Sequence, residues 1–301
     1  MTVPNTPDIF AGVPRQQFDT PGQSRGLVDV FTRHYLLRLL IRTGVTTRYR
    51  NSVLGWTWSY VRPAAQFLVF FVVLGVFLDL NRGIPNYAIY LFSGIVVINL
   101  FSEAFKNATT SIVGNAPLVR KVYLPRQLFA VSATFVAFVH FLPQVGLLLV
   151  ICILFGWFGG ASILGVLAII AAIVLTMLFS LGLGLFFGAL NVRYRDSENI
   201  VELFLLLATW ASPVLYFWTM VEKVAPDWLL RIYLLNPITQ AVELFHYAFW
   251  RPVTGVEQLA GSPIPPDLGI NTLWTFIIVI ITLLIGDAVF RKLEGRFAQD
   301  L

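Results

Sequence analysis

Side chains that could do covalent chemistry are few in this sequence, and their spacing does not assemble a catalytic set. The three histidines, His34, His140 and His246, stand on separate stretches of chain. No HExxH, DxD or GxSxG spacing occurs, which removes a paired-histidine zinc site, the acid pair of a metal-dependent glycosyl transfer and a serine nucleophile elbow. Cys152 is the only cysteine, so a disulfide framework and a multi-cysteine metal site are excluded. No metal and no cofactor is expected in this chain. The four lysines follow Phe105, Arg120, Glu222 and Arg291, never a glycine. The GxxxxGK[ST] phosphate loop is therefore absent, and any ATPase must be a separate chain. His140 sits in an uncharged run, where a packed, hydrogen-bonded role is the blander reading beside catalysis. Glu103 and Glu202 lie near the ends of apolar runs. Acids inside a membrane are functional candidates, but these positions equally suit an interface.

The elements that would position such residues follow from composition. The chain has 301 residues, 57% hydrophobic and 12% charged, with 26 phenylalanines. That charged share is about half the share of a soluble domain. One water-soluble globule cannot hide so much apolar surface, which excludes an ordinary cytosolic enzyme and a disordered chain. The expected fold class is all-α, a polytopic membrane protein. Asp, Glu, Lys and Arg are absent between Arg126 and Arg193, too long a gap for one span of ~20 residues. Gly156-Trp157-Phe158-Gly159-Gly160 divides it into Leu128–Phe155 and Ile163–Leu190. Pro63–Leu78 (extending back through Trp56 and Trp58), Gly83–Ser102, Leu203–Val221 and Leu268–Gly286 complete six spans. Gly184 and Gly188 form a small-xxx-small pair that reads as helix packing.

Residues 1–26 carry Pro4, Pro7, Pro14 and Pro21 and no apolar core. They read as a disordered cytoplasmic tail and not as a signal peptide, and residues 27–301 as one transmembrane domain. Seventeen of the 21 Lys and Arg residues fall in residues 1–62, 106–126, 191–198 and the C-terminal tail, while Arg82, Lys223, Arg231 and Arg251 hold the alternate loops. The positive-inside rule places both termini in the cytoplasm and accounts for the net charge of +5. Nucleic acid is not an expected partner; membrane lipid is.

Three segments are not simple spans. Residues 28–50 place Leu36, Leu37, Leu39 and Leu40 on one side of a helix and His34, Arg38 and Arg42 on another, which predicts an N-terminal helix lying at the membrane surface. Residues 115–124 predict a short, stiff, basic helix, with Asn115 as cap, Pro117 in the first turn and Pro125 as its stop. In 218–250, Pro226 and Pro237 interrupt an apolar stretch, and Asn236-Pro237 starts a helix over Ile238–Phe249 of ~12 residues, too short to span. A re-entrant helical hairpin dipping in from the outer side is expected, with 251–270 as an exposed loop; two helices lying on the surface are the alternative.

Three function classes are compatible with a polytopic membrane chain. A membrane-embedded glycosyl- or acyltransferase needs clustered acids, an activated nucleophile or a metal. A secondary transporter or channel would suit six spans, but no internal repeat, filter sequence or series of buried charges occurs. The membrane half of an ATP-driven exporter would use the basic helix as its contact with a separate ATPase.

Five motifs in order bear on that choice. Arg48-Tyr49-Arg50-Asn51-Ser52-Val53-Leu54-Gly55, with Trp58 and Pro63, resembles the start of the first span in the permeases of polysaccharide and polyol-phosphate ATP-binding-cassette exporters. Asn115-x-Pro117-Leu118-Val119-Arg120-Lys121-Val122 with Pro125 is similar to their coupling segment. Asn191-Val192-Arg193-Tyr194-Arg195-Asp196 resembles their turn after span four. Ser212-Pro213-Val214-x-Tyr216 with Asn236-Pro237, and the tail Phe290-x-Lys292-x-Glu294-x-x-Phe297, are also similar. The sequence looks closest to the mycobacterial-type branch that exports cell-wall galactan on a polyprenyl carrier, though teichoic-acid and O-antigen permeases share these motifs.

The resemblance implies a homodimer with two copies of an ATP-binding subunit that holds ATP and Mg. It implies a plasma-membrane channel for a lipid-linked glycan. Asn115, Pro117, Leu118, Val119, Arg120, Lys121 and Pro125 would contact the ATPase, with Leu118 and Val119 inserted in its groove. Arg48, Arg50, Arg193, Arg195 and Asp196 would lie at the substrate entrance. There Arg193 and Asp196 either pin the turn, or Arg193 or Arg195 meets a pyrophosphate, which suits arginine's bidentate fork. Glycan C–H faces pack on aromatic rings, so Tyr60, Phe67, Phe71, Tyr87, Tyr90, Trp210, Tyr216 and Trp218 are candidate channel walls. Each could instead be an interfacial belt or a packing residue. Drug efflux by the same architecture is the remaining alternative.

Overall fold

The computed structural model describes residues 26–48, 53, 55–80, 84–121, 124–255, 264–295 and 297. The expected tail, Arg50 and the middle of the 251–270 loop lie outside the described residues. All regular elements among those residues are helical. They are α1 (Leu27–Thr32), α2 (His34–Arg48), α3 (Trp58–Phe77), α4 (Tyr87–Gly114), α5 (Ala116–Lys121), α6 (Gln127–Leu154), α7 (Ile163–Arg193) and α8 (Ser197–Trp210). Then follow α9 (Trp218–Glu222), α10 (Asp227–Leu235), α11 (Pro237–Phe245), a π-helical continuation of it over His246–Trp250, a further helical turn over Arg251–Thr254, and α12 (Leu268–Glu294), with short 3-10 helices at Gly55–Thr57 and Trp157–Gly159.

Among the described residues five helices are long and apolar enough to cross a bilayer: α3, α4, α6, α7 and α12. The expected sixth span, Leu203–Val221, is divided. Its helix stops at Trp210, and α8 with 14 residues reaches only ~21 Å, short of a ~30 Å hydrocarbon core. The cause is Ser212-Pro213. Proline has no N–H to continue the ladder and its ring collides with the carbonyl four residues back.

The central helix is α4, which packs against α6 and α7, while α7 packs along α12. Close approach depends on small residues. A side chain at Gly184 would run into Ala108 of α4, and one at Gly286 of α12 would run into the Gly182 carbonyl of α7. The expected role of the Gly184/Gly188 pair is thus met in α4–α7 packing.

The bundle has two distinct ends. At the basic end, Val30, Val119, Leu128, Phe129, Leu185, Phe290 and Phe297 form an apolar cluster that joins both described ends of the chain to α5 and α6. Gln127 donates to Glu294 across it (2.7 Å). At the hairpin end, Trp250 donates to the Pro85 carbonyl (2.8 Å) and Trp157 to that of Ala248 (2.8 Å).

The expected helix over 28–50 is two pieces that break at Arg33. Leu36, Leu37 and Leu40 pack on the basic-end cluster. Leu39, expected on the same face, is exposed. The 218–250 stretch folds as short helices meeting at Asn236, whose side chain accepts from the Ile238 N–H (3.1 Å), with Pro237 in the first turn, as expected. Every residue of α11 is buried and none of α10 is.

Candidate functional site

A cavity of about 670 Å³ opens where α3, α4, α6 and α8 meet toward the basic end. Its walls are unusually polar for a site among spans. Arg48, Arg62 and Lys106 bring three cations to it, and Glu103 one carboxylate. Gln66, Asn99, Asn107 and Gln144 bring amides, Ser59 and Ser102 hydroxyls, and Trp58 a ring. His140 lines it too and is buried.

The helices place these groups by simple spacing. Asn99, Glu103, Lys106 and Asn107 recur at three- and four-residue intervals, which sets them on one face of α4. Trp58, Ser59, Arg62 and Gln66 do the same on the first turns of α3. His140 and Gln144 are one turn apart on α6, and Gln144 accepts from Asn99 (3.4 Å).

Ion pairs join the walls. Arg48, the last residue of α2, pairs with Glu103 of α4. Lys106 Nζ meets Glu202 Oε1 of α8 at 2.6 Å, with both side chains about half exposed. The two acids singled out by sequence therefore bridge helices at the cavity and its rim. The Arg62 guanidinium lies over the Trp58 ring (5.9 Å), and among the described residues it is in no salt bridge.

Of the expected entrance residues, Arg48 is at the cavity. Arg193, Arg195 and Asp196 do not line it. All three are exposed on the turn after α7. The pin expected of Arg193 and Asp196 is made by their neighbours. Asn191 donates to Glu198 (3.0 Å) and Ser197 to the Tyr194 carbonyl (2.9 Å), while Arg193 stacks on Tyr194 (5.3 Å).

The expected channel aromatics divide three ways. Tyr60 and Trp210 are exposed. Phe67, Phe71 and Tyr87 continue one stack, Phe67 on Phe71 at 5.6 Å and Phe71 on Tyr87 at 6.4 Å. Tyr87, Tyr90 and Trp218 are buried in this chain. The Tyr90 hydroxyl donates to the carbonyls of Pro213 (3.0 Å) and Tyr216 (2.8 Å), and Tyr87 to that of Leu215 (3.2 Å). Tyr216 in turn donates to the Trp210 carbonyl (2.7 Å). These tyrosines satisfy the backbone that Pro213 unwinds, an obligation wherever water is excluded.

On α5 the expected pair separates. Leu118 is exposed, whereas Val119 is 7% exposed and belongs to the basic-end cluster. Only Leu118 is free to fill another chain's groove, with Arg120 and Lys121 exposed beside it. Pro117 lies in the first turn as expected, and Pro125 is buried beyond it. Asn115 does not cap α5 with its side chain. It donates back to the Ser111 carbonyl (2.7 Å) and closes α4, leaving its own carbonyl to accept from Leu118 and Val119.

Sequence reasoning missed the polar lining and Glu243. Arg62, Gln66, Asn99 and Gln144 carry a legible signal, since polar residues within apolar runs are uncommon. Glu243 is fully buried beside His246, Oε2 to Nδ1 3.6 Å, and the His246 ring stacks on Tyr90 at 3.8 Å.

Comparison with known proteins places these features. Residues 35–250 match the ABC-2 type transporter family, a stretch that holds the whole cavity, α5, the Pro213 break and α11. The chain is 26% identical over 266 residues to the O-antigen export system permease protein RfbA of Klebsiella pneumoniae, covering 88% of this chain and 95% of that one. It is 27% identical over 222 residues to the Myxococcus xanthus protein of that name (74% and 83%). With the polysialic acid transport protein KpsM of Escherichia coli it shares 20% over 256 residues (83% and 90%). Five apolar helices of spanning length, a broken sixth segment and a family match over most of the length agree, and this chain belongs to the ABC-2 type transporter family.

Proposed function

We propose that this chain is the membrane-spanning permease of an ATP-driven exporter that moves a lipid-linked polysaccharide from the cytoplasmic to the outer side of the plasma membrane. One observation carries the reading. The stretch that matches the ABC-2 type transporter family, residues 35–250, holds every residue of the polar cavity and the stacked rings of Phe67, Phe71 and Tyr87, and over 88% of its length the chain is similar to a permease named for O-antigen export. A sugar polymer needs such surroundings, amides and hydroxyls for its oxygens and ring faces for its C–H surfaces.

The basic end is cytoplasmic in this reading, by the excess of Lys and Arg there, and both termini lie on that side. The buried α11 dips back from the outer face as a re-entrant element. Two copies of the permease assemble through apolar faces this chain leaves open, Leu68, Val69, Val73 and Val76 on α3 and Leu203 and Leu207 on α8. Tyr60 and Trp210 then face the shared path. Two copies of a separate subunit bind ATP and Mg and dock on α5 through Leu118, with Arg120 and Lys121 at the rim. The cargo is assigned to polyprenyl-pyrophosphate-linked cell-wall galactan, on the motif resemblance; O-antigen, teichoic acid and drug export are the competing cargoes.

Reconstitution tests the reading. The permease should copurify with an ATP-binding subunit, and the pair in proteoliposomes should move lipid-linked glycan when ATP is added. Depletion in cells should leave that glycolipid trapped on the cytoplasmic side. Unchanged glycolipid pools with reduced drug efflux would replace the glycan by a drug.

A further inference from the structure

We infer that the cavity between α3, α4, α6 and α8 is a diphosphate site for the headgroup of the lipid carrier, in which Glu103 and Glu202 hold the cations until the ligand's oxyanions displace them. The inference rests on the exporter reading for the source of the ligand. It rests on the structure for the chemistry.

The cavity lining has three cations against one carboxylate. Fixed charge within membrane spans is expensive and is kept where it meets a partner or a ligand. Arg48 and Lys106 have carboxylate partners, but these partners come from other helices, Glu103 on α4 and Glu202 on α8. Arg62 is in no salt bridge among the described residues. A diphosphate has two linked phosphoryl groups. It can accept from Arg62 and also take the places of both carboxylates, which makes one ligand the common partner of all three cations. Charge-assisted bonds of this kind are the strong class, and arginine's fork matches two phosphoryl oxygens. The volume of about 670 Å³ falls within the range of about 300–1,000 Å³ typical of ligand sites. It leaves room beside the phosphates for a first sugar, and Asn99 and Gln144 face that room with amides. A cavity meant for neutral sugar alone would not need the cations, and a small-ion path would not need the amides.

The opposite signs expected for acid and base variants test the site. Full-length permease in lipid nanodiscs, in complex with its ATPase, is titrated with farnesyl diphosphate, inorganic pyrophosphate and farnesol. Farnesyl diphosphate should bind saturably and farnesol should not. Arg62→Gln and Lys106→Gln should each weaken binding about tenfold or more, as loss of a charge-assisted bond requires. Glu103→Gln should tighten it severalfold by removing the carboxylate that competes with the ligand for Arg48, and Arg231→Gln at the far end should change nothing. Weakening by Glu103→Gln, or indifference to Arg62→Gln and Lys106→Gln, would overturn the site. Equal affinity for inorganic pyrophosphate would overturn the lipid source. ATP-driven glycolipid transport by the wild-type complex is measured alongside. Transport without this binding pattern refutes the site and spares the exporter reading; binding without transport refutes the exporter reading and spares the site.

Discussion

At the hairpin end, one hydroxyl of Tyr90 holds two backbone carbonyls of an unwound segment, and the ring is sealed among His246, Phe217 and Trp250. At the basic end, Lys106 meets Glu202 at the rim of a cavity whose lining carries amides and hydroxyls. Both ends bring polar groups into an apolar bundle. In the first, the hydroxyls of Tyr87, Tyr90 and Tyr216 donate to backbone carbonyls and so serve the fold. In the second, Arg48, Lys106 and Asn99 pair with side chains of other helices, while Gln144 also donates to the His140 carbonyl, and a ligand's oxygens can exchange with such side-chain partners. The buried rings of Tyr87 and Tyr90 thus serve the fold, and the charges that suggest topology also line a cavity.

The largest test removes Tyr90. Tyr90→Ala would leave a buried void and orphan the carbonyls of Pro213 and Tyr216, with an expected loss of about 3–5 kcal/mol. Tyr90→Phe keeps the ring and loses only the donor, for about 1–3 kcal/mol. Thermal unfolding of the solubilised chain reads both. A Tyr90→Phe chain as stable as wild type would show that the break does not depend on this hydroxyl and would dissolve the contrast between the ends.

The basic end has a surface as well as a cavity, and α5 separates the two roles. Leu118→Asp should leave the lone permease as stable as wild type and weaken its hold on the ATPase by about 2 kcal/mol or more, the size of an interface hot spot. Val119→Asp should instead destabilise the permease itself, because an aspartate would be buried against Leu128 and Phe290. Stability of the permease alone and ATPase copurification, measured on both variants, give the split. Normal copurification in Leu118→Asp would remove this residue from the coupling contact.

How far the sequence went follows from the range of each interaction. The spans were legible because a run of uncharged residues is a local property. Positions such as 127–154 and 163–193 came out within a few residues. The divided segment was half legible. Pro213 is a plain helix stop, but the apolar residues on both sides hide it when only charge is followed. The partners of Tyr87 and Tyr90 lie more than 120 residues away, beyond any local pattern. Which of Leu118 and Val119 points inward depends on where Phe290 and Phe297 return, so spacing in a six-residue helix could not decide it. The pairing of Asn191 with Glu198 spans only seven residues, a local spacing that lies beneath the more conspicuous charges of Arg193 and Asp196.

The smallest stability effect is the sharpest form of the comparison. Glu202 is an exposed partner of Lys106, and exposed ion pairs contribute little because water and salt already satisfy both charges. Glu202→Gln should leave the unfolding midpoint where it is at moderate ionic strength. If the cavity takes a diphosphate, the same change frees Lys106 and raises farnesyl diphosphate affinity by less than Glu103→Gln does, since Lys106 in the wild type is already the more solvated cation. Tyr90→Phe should show the reverse, a clear loss of stability with the cavity's affinity unchanged in the chains that remain folded. A stability loss in Glu202→Gln equal to that of Tyr90→Phe would mean that the basic end is locked like the hairpin end. The ion pairs would then be part of the scaffold, and the cavity would have no cation to give to a ligand.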